Sequence, residues 1–443
     1  VSSVLAEAPS TAPRVTGRSS SASVTSLLLI GWIALISADR IDVLGGHGGF
    51  QLQPYLVLTP LVFVLELMRR RATRSPIRVS RAVTWYGALA LALVSLAIAS
   101  VFGSPELDVS APRVVLFTVH VLSTLVAVLL LADRGDLPDL LDRGAVVGLL
   151  VFAVFDVLQA AWLLGRVPEY VYVGPASIHL IGYTYGAFVP RLSGMVADQN
   201  RAGVVLLFFA WAVAARPHKA PRRGYLVLAA VLLLLTLSRS AILAAAVTGI
   251  VVVLERRAHR VSPASVVASL LIIGIGLSAL LYSPALRDSV DVAVQPLVSR
   301  FSVDEGSSQT HVAVLQRGFD VGTESLPRVT IGLGFGSAYT VLQELFPGNR
   351  YGNFHSLYLT MFAESGTLAL IALLAMIGVP LVRGGSYRPL VAGMAAFNVF
   401  YQATTDPAFW TILALAWMTM GGRRRTPDTR TCAMAPPDGK SRP

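Results

Sequence analysis

Residues 83–103, VTWYGALALALVSLAIASVFG, carry no Asp, Glu, Lys or Arg. A helix rises 1.5 Å per residue, so about 20 apolar residues cross the hydrocarbon core of a bilayer. This run meets that length and has no polar face to turn towards water. Applied along the whole chain, the same ruler places helices near 24–38, 52–68, 83–103, 114–132, 145–165, 202–215, 224–237, 240–254, 264–281, 357–382, 390–404 and 407–420. The expected fold class is therefore all-α, a polytopic integral membrane protein with about twelve transmembrane helices. The 443 residues are 54% hydrophobic and 14% charged, whereas soluble domains carry about 25% charge. A soluble enzyme is excluded on that balance.

The organisation follows from what lies between the apolar runs. Residues 1–23 are rich in Ser, Ala and Thr and read as a disordered cytoplasmic tail; 24–420 form the transmembrane domain; 421–443 are a basic cytoplasmic tail. Most of the 36 Lys and Arg fall in the segments that share a side with the N-terminus, while acids dominate the opposite side. The positive-inside rule puts both termini in the cytoplasm of a multi-pass inner or plasma membrane protein. The net charge of +11 sits in short clusters rather than along one face, so it argues against nucleic acid. Arg69, Arg70, Arg71 and Arg74 read as topology anchors that favour anionic membrane lipids. Cys432 is the single cysteine, which excludes an internal disulfide and a cysteine metal site.

Two extracytoplasmic segments, 166–200 and 282–354, are longer than connectors need to be, and loops of that length usually carry function. The second contains an amphipathic stretch, His311 to Glu324, expected to lie on the bilayer surface. Polar residues gather in three islands at the outer helix ends. The first is Arg191-Leu-Ser-Gly194 leading to Asn200; the second is Thr236-Leu-Ser238-Arg239; the third is Gly332-Leu-Gly-Phe-Gly336 followed by Asn353-Phe-His355-Ser356 and Gly366. An arginine within an apolar hairpin costs about 2.5–3.5 kcal/mol at a helix centre, so Arg239 must face water, a partner or a ligand. The alternative is a snorkelling side chain that marks a helix end. An enzyme on that face has no ATP and needs an activated substrate such as a sugar on a polyprenyl diphosphate. Arginine forks bind phosphate oxygens bidentately, and a neutral histidine can take the proton of an acceptor hydroxyl. The glycine run follows no strand of a βαβ unit, which excludes a dinucleotide loop.

Together these islands resemble the O-antigen ligase and polymerase family of membrane glycosyltransferases. The likeness covers roughly 180–380 and rests on Arg191 with Gly194 and Asn200, on Ser238-Arg239, and on His355-Ser356 followed, after nine intervening residues, by Gly366. It implies an inverting, metal-independent transfer of a glycan from a polyprenyl diphosphate carrier to an acceptor hydroxyl of a glycan, lipid or protein, without a cofactor. It further implies that His355 takes the proton while Arg239, Arg191 and Asn200 hold the diphosphate. The chain departs from the family pattern where many members carry an arginine sixteen residues before a proline. Here His311 stands sixteen before Pro327, with Arg300 and Arg317 nearby. Tyr183, Tyr185, Ser356 and Glu364 are candidate acceptor or sugar contacts, though outer aromatics also serve as interface anchors. A transporter or flippase for a lipid-linked or small polar substrate is the competing reading, weakened because the polar residues lie at the surface rather than the midplane.

Overall fold

A computed structural model describes residues 20–44, 52–77, 79–185, 189–215, 222–257, 306–345 and 352–420. The expected helix at 264–281, the final 23 residues and Arg300 lie outside the described residues. The described chain is mostly helical. Its helices are α1 (Ser20–Ala34), α2 (Pro54–Ala72), α3 (Arg81–Val101), α4 (Leu107–Leu131), α5 (Leu137–Leu163), α6 (Gln199–Ala214), α7 (Arg222–Leu235), α8 (Arg239–Arg257), α9 (Gly306–Thr323), α10 (Leu326–Ile331), α11 (Ala338–Leu345), α12 (Leu357–Arg383), α13 (Arg388–Phe397) and α14 (Pro407–Thr419). Among the described residues, α3, α4, α5 and α12 are long and apolar enough to cross a membrane, and α1, α6, α7 and α14 contribute shorter apolar stretches.

Side-chain caps set several starts. Ser80 accepts from Val83 N ahead of α3, Asp198 from Asn200 N and Arg201 N ahead of α6, and Asp406 from Ala408 N ahead of α14. Each satisfies amide groups that a helix start leaves without a partner. The centre of the bundle is aromatic: Trp410 meets Phe117 edge-on at 5.6 Å, and Phe117 lies 4.7 Å from Phe335.

Four features depart from the sequence reading. The stretch expected as helix to 404 stops at Phe397, and 398–406 is irregular. Asn398 ends it: its side-chain amide bonds Met394 O, and its own carbonyl, with that of Tyr401, accepts from Leu357 N. The outer segment 166–200 contains strands β2 (Tyr170–Val173), β3 (Ala176–His179), β4 (Tyr183–Tyr185) and β5 (Val189–Arg191), with β3 also pairing β1 (Ile41–Asp42). The amphipathic stretch forms α9 and packs on the protein, with Gly318 against Phe354 and Gly322 against Phe362. Arg70, expected as an anchor, is instead buried beside Glu66 with Arg134, and its guanidinium donates to Leu130 O. A carboxylate in the helix-packed interior retains its charge only when cations surround it.

Candidate active site

The first island is held from below. Gly194 has φ 57°, a left-handed conformation, and a Cβ there would collide with the Phe152 ring. Only glycine meets both conditions without strain. Its N–H donates to Asp156 Oδ1 at 2.8 Å and its carbonyl accepts from Gln159 Nε2 at 2.8 Å, while Gln159 Oε1 takes Ser193 N. From the other side, buried Arg40 donates to Val196 O at 2.9 Å and to Ser193 Oγ at 2.9 Å. Asp156 thus serves this loop as a backbone anchor, and Arg40 is a second anchor that the motif reading missed.

The second island closes onto the first. Arg191 Nε donates to Thr236 O at 3.0 Å, Leu192 N to Leu235 O at 3.0 Å, and Ser238 Oγ to Asn200 Oδ1 at 2.8 Å. Ser238 also caps α8 through Ala241 N, which makes half-buried Arg239 the first residue of that helix. Leu237, immediately before this pair, has φ 49°. A residue with a Cβ seldom adopts that conformation.

His355 opens the third island with φ 56°, is 8% exposed, and receives a turn-forming contact from Asn353, whose Oδ1 accepts His355 N at 2.8 Å. Ser356 follows as the cap of α12 and donates to Asn398 O. Backbone strain of this kind gathers at functional sites. Two of the three non-glycine residues with positive φ among the described residues, Leu237 and His355, lie in these islands.

Gly366, after nine intervening residues, explains the spacing of the third island. Its φ of 81° and ψ of 179° break α12, and the Thr330 carbonyl occupies the space a side chain would need. The break strips carbonyls in the preceding turn of their helical donors. Leu333 N and Gly334 N replace them at Ala363 O and Glu364 O, 2.8 and 2.9 Å away. Glu364, 2% exposed, bonds Ala338 N at 2.9 Å through its carboxylate. It therefore ties the start of α11, just after the glycine run, to α12.

The join between the first two islands and the third is Tyr401, which the motifs did not single out. Its hydroxyl donates to Asp198 Oδ1 at 2.9 Å and its carbonyl accepts Leu357 N at 2.8 Å, two residues after His355. Beside it, Arg201 pairs with Asp39 at 2.6 Å and lies 3.9 Å from Asp406. Burial pushes the Asp406 carboxyl above its usual range, and Arg201 only partly offsets that. Arg317 is half-buried on α9, next to the Gly318 that packs on Phe354. His311 lies on the same helix, and its side chain, like those of Tyr183 and Tyr185, is outside the described residues. Tyr183 pairs through the backbone with Arg191.

Residues 224–374 match the family described as O-antigen ligase. This match supports the O-antigen ligase and polymerase family for that stretch of the chain. The matched stretch holds Ser238-Arg239, His355-Ser356 and Gly366, while Arg191 and Asn200 fall before it. No curated protein matches the chain. The match and the four helices long and apolar enough to cross a membrane among the described residues together support an integral membrane protein.

Proposed function

We propose that this protein is a membrane glycosyltransferase of surface-polysaccharide assembly, transferring a glycan from a polyprenyl diphosphate to an acceptor hydroxyl on the extracytoplasmic face. The observation that carries this reading is the linkage of three sequence-distant islands: Arg191 to Thr236, Asn200 to Ser238, and Asp198 through Tyr401 to the start of α12. His355 takes the acceptor proton as the hydroxyl oxygen attacks the anomeric carbon. The bond to the diphosphate oxygen breaks with its electron pair, and the charge that grows there is met by Arg239 and Arg191. Attack from the face opposite the leaving group inverts the anomeric centre. The histidine supplies the base and the arginines supply the countercharge, so this scheme routes no step through a metal. The bundle of about twelve helices, with both termini in the cytoplasm of the inner or plasma membrane, presents these groups at the level of a lipid headgroup.

The test uses the full chain in lipid nanodiscs with a defined polyprenyl-diphosphate glycan and a candidate acceptor, with products read by mass. His355→Ala is expected to lower transfer by roughly 10²–10⁴ while leaving the melting transition in place. Unchanged product formation would overturn the assignment. A ladder of products identifies a polymerase and a single addition identifies a ligase.

A further inference from the structure

A second site lies at the other end of the bundle. The α3 helix runs from Arg81 to the islands' end, where Ser100 Oγ accepts Phe335 N at 3.0 Å, and α12 packs along it. At the far end, α3, α12 and α14 part to leave a cavity of about 540 Å³, within the range of small-molecule sites, about 300–1,000 Å³. Arg81 and Arg383 stand at its mouth, and the walls behind them include Trp85, Leu89, Ala375 and Trp417. Trp417 is fixed as a wall because its indole N–H donates to Met376 O at 2.9 Å. Trp85 is 55% exposed, so this side of the cavity opens outward. From Arg81 to Leu89, and from Ala375 to Arg383, the helices span about 12 Å.

This is a cleft with two cations at one end and an apolar wall for the rest of its length. Neither arginine makes an ion pair or side-chain hydrogen bond among the described residues, which distinguishes them from Arg69, Arg70 and Arg134 around Glu66. Its polarity is that of an amphiphile with an anionic head. Basic pockets between membrane helices at headgroup level bind anionic lipid heads, and tryptophan favours the same level.

We infer that the Arg81–Arg383 cleft binds an anionic phospholipid of the bilayer leaflet at this end, with its phosphate between the two guanidinium groups and an acyl chain along Trp85 and Trp417. The charge selects the head and the aromatic wall holds the chain. The lipid thereby fills the space where α3, α12 and α14 part and ties together the far ends of helices that lead to the islands.

The experiment is native mass spectrometry of the full chain, delipidated and titrated with phosphatidylglycerol or with phosphatidylethanolamine of the same acyl chains. The wild-type protein should retain phosphatidylglycerol preferentially. R81Q/R383Q should weaken that binding by roughly 30-fold, about fivefold for each basic residue removed. R81K/R383K should keep most of it, and Ala375→Trp, which fills the cleft, should abolish it with both arginines in place. Melting curves of each variant establish that it is folded. Equal binding of the two lipids, an unchanged affinity in the glutamine pair, displacement by millimolar inorganic phosphate, or a second copy of the chain in the cleft would each overturn the proposal.

Discussion

Both ends of the bundle bury charge, and they use it differently. At one end Glu66 is fully buried and is met by Arg69 at 2.6 Å, Arg134 at 3.1 Å and Arg70 at 3.4 Å. Two of these partners are its neighbours on α2, three and four residues away. At the other end Arg201 gathers Asp39 and Asp406, and Asp198 receives Tyr401, across separations of 162 to 205 residues in the chain. The first cluster is a staple between α2 and the α4–α5 turn. The second determines where the islands stand relative to one another. Burial of charge therefore says little about function until its sequence separations are known.

Substitutions can break this contrast. The largest effect is expected from Arg201→Met, which leaves Asp39 and Asp406 without their cation. Loss of one partner from a buried pair costs about 3–5 kcal/mol, and transfer per folded molecule should fall with it. Glu66→Gln should cost about 3 kcal/mol for the same reason while transfer per folded molecule stays at the wild-type rate; a matching loss of rate would erase the distinction between the ends. Melting temperature and turnover, measured together, separate the two cases.

Tyr401→Phe tests the join itself. It removes one hydrogen bond to a carboxylate, worth about 1.5–3 kcal/mol, and should lower turnover roughly tenfold with the donor's binding less affected. The smallest effect concerns pH. Because burial raises the Asp406 carboxyl above 3.8, the folded state holds that proton more firmly than the unfolded chain. The associated stability is full below the unfolded value and is lost as pH rises through the folded one. Asp406→Asn should remove that loss from the stability profile, whereas Glu66→Gln should leave it in place.

The apolar runs were legible because twenty-odd uncharged residues in a row admit few other readings, and α3, α5 and α12 appear close to where the runs lie. The islands were legible as motifs. Their closure was not: Tyr401 and Asp198 meet only through tertiary folding, and no periodicity marks a contact 203 residues long. The hairpins before Arg191 were hidden for a related reason, since strands of three or four residues leave almost no alternation to read. Arg70 looked like a surface anchor because a basic run at a helix end usually is one, and only the position of Glu66 turns it inward.

The interruption at Gly366 makes the glycine run and α12 one mechanical part. To swing away, the run would have to uncover the carbonyls of Ala363 and Glu364 where little water reaches them, and each orphaned group there costs several kcal/mol. The root of this loop is consequently a welded seam rather than a door. A single residue without a side chain thereby fixes the glycine run to the helix that begins beside His355.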